Sequence, residues 1–237
     1  MNRPSTPAAV DRDSEAVRSM FGRIARRYDL ANHLLSGGCD FWWRARAAEV
    51  VRRWQPPRLL DLATGSGDLA LAIQRKLPAT VITAADFSPE MLARARQKGV
   101  ANTVVADALK LPFAEHSFEA VTVAFGLRNM ADWDAALAEM ARVLTPGGCL
   151  LVLDFSLPRG LVGKAYRFYL RRCLPWVAGF VTGERQAYDY LSASIEKFPA
   201  GAEMIALLER NGFNSASAER LTGGVASMYL ARKPAGS

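Results

Sequence analysis

Cysteine is scarce and poorly placed for cross-linking. The chain's three, Cys39, Cys149 and Cys173, are widely spaced and form no C-x-x-C pair. That argues against a disulfide framework or a zinc site and suits a reducing, cytoplasmic interior. Only two histidines occur, and no metal is expected. No apolar run approaches the roughly 18 residues that a spanning helix needs. The N-terminal stretch MNRPSTPAAVDRDSEAV lacks the continuous apolar core of a signal peptide, so a soluble or peripheral protein is expected.

What is present is a globular composition: 237 residues, 50% hydrophobic and 22% charged. This suits one enlarged α/β domain with a real core. The formal net charge of +7 serves solubility and does not by itself require an anionic partner. An N-terminal helical cap is expected over 1–55 and a sheet domain over 56–237, with a lid inserted at about 158–200.

The most informative segment is Leu59-Leu60-Asp61-Leu62-Ala63-Thr64-Gly65-Ser66-Gly67-Asp68, followed by Asp86 at the end of a second apolar run. An apolar strand that ends in a glycine turn and opens a helix, next to a strand ending in a carboxylate, is how an open α/β sheet holds a nucleoside. The turn needs small residues because the ligand approaches the backbone. Asp86 can accept bonds from both ribose hydroxyls.

Helical spacing of apolar residues from Ser14 to Trp54, broken at Gly37-Gly38 and closed by Pro56-Pro57, predicts helices ahead of the sheet. Strands are expected at 58–64, 80–87, 103–108, 119–126 and 149–156, alternating with helices, as in a mostly parallel, doubly wound sheet. A helix over 202–211 leads into two strands, 215–221 and 225–232, whose pairing as a hairpin would add one antiparallel strand. Ahead of that helix, residues 160–198 are too long and too apolar for an ordinary connection, and read as a helical lid.

The third glycine of a dinucleotide fingerprint is missing, since the turn runs Gly65-Ser66-Gly67-Asp68-Leu69-Ala70. An anionic Asp68 close to where a pyrophosphate would lie disfavours NAD and suits a cationic ligand such as S-adenosylmethionine; a solvent-facing or helix-capping Asp68 is the alternative. Asp107-Ala108 suits an adenine, with the carboxylate accepting from the exocyclic amine and the small neighbour leaving room, although a cap for the next turn would use the same aspartate. The fourth strand ends in Ala124-Phe125-Gly126-Leu127-Arg128-Asn129-Met130. A salt bridge would account for Arg128, but not for the whole cluster.

VRSMFGRIARRYDLANHLLS, DLATGSGDLA, AADFSPEML, FGLRNMAD, VLTPGGCLLVLDFSLP, AYDYLSASIEKFP and LTGGVAS together closely resemble the UbiE/COQ5 group of menaquinone and ubiquinone biosynthesis C-methyltransferases, from Val17 to Leu230. The glycine loop is shared by all class I methyltransferases; FGLRN and the YDYL-x-x-SI-x-x-FP stretch are more specific. The resemblance implies a seven-stranded, Rossmann-like class I sheet, mostly parallel with one antiparallel strand. It implies use of S-adenosyl-L-methionine, released as S-adenosyl-L-homocysteine, to methylate a ring carbon of a prenylated quinol, with demethylmenaquinol favoured over the benzoquinol counterpart. By position the cofactor contacts fall on Ser66, Asp86, Asp107, Ala108 and Ala124. Ala124 stands where family members often carry serine, so a side-chain bond is lost there. The wider candidate set adds Asp61, Gly65, Gly67, Phe87 and Tyr28.

A methyl group on sulfonium is a strong electrophile, so the enzyme must align it and exclude water. Ionising a quinol hydroxyl makes the neighbouring carbon nucleophilic, which calls for a base or a cation near that oxygen. Arg128 is the candidate cation and Asn129 would orient the ring oxygen. His33, Tyr28 or Tyr188 would relay the proton, with no ranking among them. Tyr28 and Asn32 share a helix face and would close over the methionine moiety.

A polyprenyl quinol resides in the bilayer, which suggests peripheral contact with the inner face of the plasma membrane. Lys164, Arg167, Arg171 and Arg172 interleave with Tyr166, Phe168, Tyr169, Leu170 and Trp176 as in a surface-docking helix; a basic face covering an apolar pocket is equally compatible. No nucleic-acid partner is expected, and a homodimer is compatible with the chain. The rivals are a class I enzyme for another lipid or small aromatic, an RNA-binding methyltransferase-like module and a silent scaffold of a quinone-synthesis assembly.

Overall fold

A computed structural model describes residues 36–158, 160–169, 172 and 194–236. Seven strands form one sheet in the order β3-β2-β1-β4-β5-β7-β6: β1 Arg58–Leu62, β2 Val81–Asp86, β3 Asn102–Val105, β4 Phe118–Ala124, β5 Leu144–Phe155, β6 Asn214–Leu221 and β7 Ala226–Arg232. The first five run parallel. β7 lies antiparallel between β5 and β6, so the expected hairpin does add one reversed strand. This is the class I S-adenosylmethionine-dependent methyltransferase sheet. The order reverses at β1, where β2 and β4 flank it on opposite sides, and a crevice is expected at the carboxyl ends there.

The helices are α1 Cys39–Trp54, α2 Asp68–Lys76, α3 Pro89–Gln97, α4 Trp133–Val143, α5 Gly160–Phe168 and α6 Ala202–Arg210. Trp43, Ala47, Ala48 and Val51 of α1 pack with Ala70 and Ile73 of α2 and Ala95 of α3 on one face of the sheet. Ala136, Leu137 and Met140 of α4 pack with Met204, Leu207 and Leu208 of α6 on the other. Covered on both faces, the central strands are buried almost throughout rather than alternating; Leu150 through Phe155 are all buried.

Local chemistry sets the ends of these elements. Ser88 caps α3 by accepting from the Met91 amide, with Pro89 in the first turn, and Asp132 caps α4 by accepting from Ala135, as expected of such residues. Three expected strand ends are shorter in the structure. β1 stops at Leu62 because Ala63 turns to φ 51°, and β4 stops at Ala124 because Phe125 turns to φ 59°. β3 stops at Val105, where the Asp107 side chain begins a turn by accepting from the Leu109 amide. β5 instead begins earlier than expected, at Leu144, and runs through Pro146-Gly147-Gly148 with a register shift opposite β4.

α1 follows the Gly37-Gly38 break, where both glycines have positive φ. It is the described part of the expected N-terminal cap, and it lies within the sheet's own core. It is also fastened to the β6–β7 hairpin, through Trp43 Nε1 donating to Thr222 at 2.8 Å and a two-bond Arg46 to Glu219 pair. The helices expected within 14–35, and most of the expected lid, lie outside the described residues. α5 lies in its described part. Among the described residues, no helix is long and apolar enough to cross a membrane.

Candidate functional site

The carboxyl ends of β1 to β4 gather the candidate residues at the expected crevice. In the turn after β1, Gly65 and Gly67 adopt φ 58° and 85°, conformations that side-chain-bearing residues rarely take. A Cβ on Gly67 would lie 2.5 Å from Val100 Cγ2, so close packing of α2 against the segment after α3 also fixes this glycine. Asp86, at the tip of β2, accepts from the Gly65 amide at 2.8 Å, from the Ser88 amide at 2.9 Å and from Phe87. The carboxylate therefore holds the glycine loop against the neighbouring strand. An ionised carboxylate has about four acceptor sites, so capacity remains for a ligand hydroxyl. Burial pushes the Asp86 carboxyl upward, opposed by those three amides.

Asp61, inside β1, is fully buried and accepts from Thr122 Oγ1 at 2.7 Å and Thr64 Oγ1 at 2.6 Å. Burial pushes its carboxyl up to about 6, opposed by the two hydroxyls and the charge of Arg44, and reinforced by Asp86. Arg44 reaches over from α1, ion-paired to Asp40, with its guanidinium carbon 5.2 Å from the centre of the Phe125 ring. Asp40 is itself buried and accepts from Ser36.

The fourth-strand tip is rigid. Gly126 sits so close to Ala63 that a Cβ there would lie 2.5 Å from the Ala63 Cβ, which brings the ends of β1 and β4 together. Arg128, whose side chain is 1% exposed, pairs with fully buried Asp154 of β5 at 2.6 Å and donates to the Phe125 carbonyl at 2.7 Å. Its guanidinium also lies 5.3 Å from the centre of the Phe155 ring. Burial pushes the Asp154 carboxyl upward against the pull of Arg128. Asn129 Nδ2 donates to the same Phe125 carbonyl at 3.3 Å, and its buried Oδ1 has no hydrogen-bond partner among the described residues.

Asp107 is exposed and Ala108 half-buried beyond β3, while half-buried Ala124 ends β4. The Asp107 Oδ1 atom serves the turn. Ser66 is buried, and its hydroxyl accepts from Lys98 Nζ at 2.7 Å. Lys98 also pairs with Asp68 at 2.8 Å. The negative charge read from Asp68 is thus compensated, and the acidic character of the crevice comes from Asp61 and Asp86 instead. Tyr28, Asn32, His33 and Tyr188 lie outside the described residues.

Sequence reasoning did not single out Asp40, Arg44, Lys98 or Asp154. The Asp40 and Arg44 spacing of four is an ion-pair signal on any helix, and Asp154 interrupts an otherwise apolar strand. Their meeting with Phe125 and Arg128 depends on packing across the sheet.

The profile of the ubiE/COQ5 methyltransferase family matches residues 9–233. The demethylmenaquinone methyltransferase of Thermus thermophilus is 48% identical, covering 91% of this chain and all of that protein. The protein of the same name from Deinococcus radiodurans is 42% identical, covering 98% of each. Among solved structures, Haemonchus contortus phosphoethanolamine N-methyltransferase 2, in complex with S-adenosyl-L-methionine, superposes with a TM-score of 0.65 at 17% identity. That superposition covers 98% of this chain and 62% of the other, a likeness of fold.

Proposed function

Because this chain belongs to the ubiE/COQ5 methyltransferase family, we propose that it transfers a methyl group from S-adenosyl-L-methionine to a ring carbon of demethylmenaquinol. The observation that carries this reading is the joining, at one crevice, of an acid-lined glycine turn and the Arg128-Asn129 tip of β4. Relatives of similar length that share 48% and 42% of their residues with the chain carry the name demethylmenaquinone methyltransferase.

The residues present fit the cofactor. Asp61 and Asp86 are buried or half-buried acids beside a glycine turn, and the sulfonium and ammonium of S-adenosylmethionine are both cationic. In this reading Asp86 holds a ribose hydroxyl, Asp61 faces the ammonium, Gly65 and Gly67 give the turn its left-handed backbone, and Asp107 with Ala108 borders the adenine. When bound, the cofactor supplies an electrophilic methyl group.

The chain's own residues align and insulate the reaction. Arg128, locked by Asp154, fixes the Phe125 carbonyl and the Asn129 side chain, so that the Asn129 Oδ1 atom is positioned for a hydroxyl donor on the quinol. An acceptor there orients the neutral hydroxyl so that its proton can pass to a base. The expected role of Arg128 as a free cation gives way to a positioning one, because its charge is compensated by Asp154 and its side chain is buried. Phe125, Phe155 and Trp43 cluster about this point in tilted and edge-to-face contacts, with ring centres 4.9 to 6.0 Å apart, and exclude water. Proton relay belongs to Tyr28, His33 or Tyr188 in this scheme.

The substrate's prenyl tail requires access to a bilayer, and we place the chain at the membrane surface as a peripheral protein. Exposed Phe168 and Lys164 of α5 and exposed Arg172 support this. The test is transfer of labelled methyl from S-adenosylmethionine to reduced demethylmenaquinone, run beside the benzoquinol substrate of ubiquinone synthesis. Methylation of the naphthoquinol is expected. Turnover of the benzoquinol alone would reassign the substrate, and turnover of neither would remove the reading.

A further inference from the structure

Arg44 is the one basic side chain of α1 that reaches the crevice between β1 and β4. Its guanidinium lies over Phe125 at the end of β4, and its charge is felt by Asp61 at the end of β1. The side chain is 11% exposed. Among the described residues its one hydrogen bond goes from Nη1 to Asp40, which leaves most of the five donors of a guanidinium for another group. Asp40 is fixed in turn by Ser36 at 2.7 Å. The fork is therefore held through Nη1 on α1, with its guanidinium carbon over Phe125 at the end of β4.

We infer that Arg44 binds the α-carboxylate of the cofactor's methionine moiety, opposite Asp61 on the ammonium. The inference rests on the S-adenosylmethionine reading above. Planar, two-pronged donation is what recognises a carboxylate. Asp61 and Asp86, at the ends of β1 and β2, repel a carboxylate, and Arg44 is close enough to act on Asp61 and offset that repulsion. A ligand bearing one carboxylate, one ammonium and one sulfonium has a net charge of +1, matching a site with more acids than bases. The cation–π contact with Phe125 steadies the guanidinium without using up its donors.

The test compares binding of S-adenosylmethionine with that of decarboxylated S-adenosylmethionine, which keeps the sulfonium and the amine, by calorimetric titration of the full chain. The native protein is expected to prefer the carboxylated ligand by about tenfold or more, and Arg44→Gln to lose roughly that factor for it alone. Binding of the decarboxylated ligand should stay within about twofold, since no charge-assisted bond to it is lost. Asp40→Asn combined with Arg44→Gln removes both members of the ion pair, so no unpaired buried charge remains; it should show the same pattern with a native-like melting curve. Equal loss for both ligands would assign Arg44 a structural role and overturn the inference. So would an unchanged affinity for S-adenosylmethionine, or a native protein that binds both ligands alike. A native protein that binds neither ligand would overturn the cofactor reading and this inference together.

Discussion

Arg128 and Asp154 meet at 2.6 Å with side chains 1% and 0% exposed, joining the loop after β4 to the interior of β5. Removing one partner leaves the other charged and desolvated. Asp154→Ala should therefore lower the unfolding free energy by about 3–5 kcal/mol, whereas replacing both residues by apolar ones of similar volume should cost less. Urea titration of the two variants checks this, and a smaller loss in the single variant would contradict it. Methyl transfer should fall in both, because the Phe125 carbonyl and Asn129 lose their anchor.

Asp86 both secures the glycine loop and supplies the acceptor for a ribose. Asp86→Ala should weaken S-adenosylmethionine binding by at least tenfold, about 1.4 kcal/mol. Unaltered affinity in calorimetric titration would remove Asp86 from the site.

Asp61 binds a proton more tightly when folded, at about 6, than its ordinary value of 3.8. Between those values the native state carries more protons than the unfolded chain. The Asp61 contribution to stability is therefore fully present below about pH 4 and is lost as pH rises through about 6. Cofactor affinity should run the other way, rising as Asp61 ionises and meets the ammonium; Asp86, also shifted upward, adds in the same sense. Asp61→Asn should flatten the stability profile over this window, raise stability at pH 7 and weaken cofactor binding. Melting and titration series from pH 4 to 8 would show it, and an unchanged pH dependence in the variant would refute it.

Gly126 takes an ordinary φ, yet a Cβ there would lie 2.5 Å from the Ala63 Cβ and 3.3 Å from Val123. Ala63 has no flexible end to move aside. Gly126→Ala should cost about 1–3 kcal/mol through overpacking. It should also lower cofactor affinity by spreading the tips of β1 and β4. Denaturation and titration on the same sample separate the two effects.

For the membrane reading, the native protein should co-sediment with liposomes more strongly when anionic lipid is included. Lys164→Glu should reduce that binding about fivefold per unit of charge removed, at roughly 1 kcal/mol each. Sedimentation indifferent to lipid charge and to this change would exclude the docking role of α5.

Much of the sheet was legible because local rules and tertiary demands agree. The apolar run at 58–62 is a strand buried on both faces, the glycines after it are a tight turn, and Ser88 and Asp132 cap the helices they precede. The ends were less legible. Ala63 and Phe125 take positive φ although neither residue type favours it, because the loops at the crevice are shaped by the contact between Ala63 and Gly126. Asp68 shows the same limit within the site: its charge reads as free in the chain, and Lys98, thirty positions away, neutralises it.

The sequence by itself determined the periodicities, the glycine turn, the carboxylates at the ends of β2 and β3, and the motifs by which the family resemblance was stated. These are local, since turns, caps and strand burial depend on neighbouring residues. Only the tertiary structure decided which charges face one another: Arg128 with Asp154, Arg44 with Asp40 and beside Phe125, and Lys98 with Asp68. The strength of a charge interaction depends on distance and burial. In three of these contacts, separations of 26, 30 and 81 positions along the chain become contacts of a few ångströms when the sheet assembles.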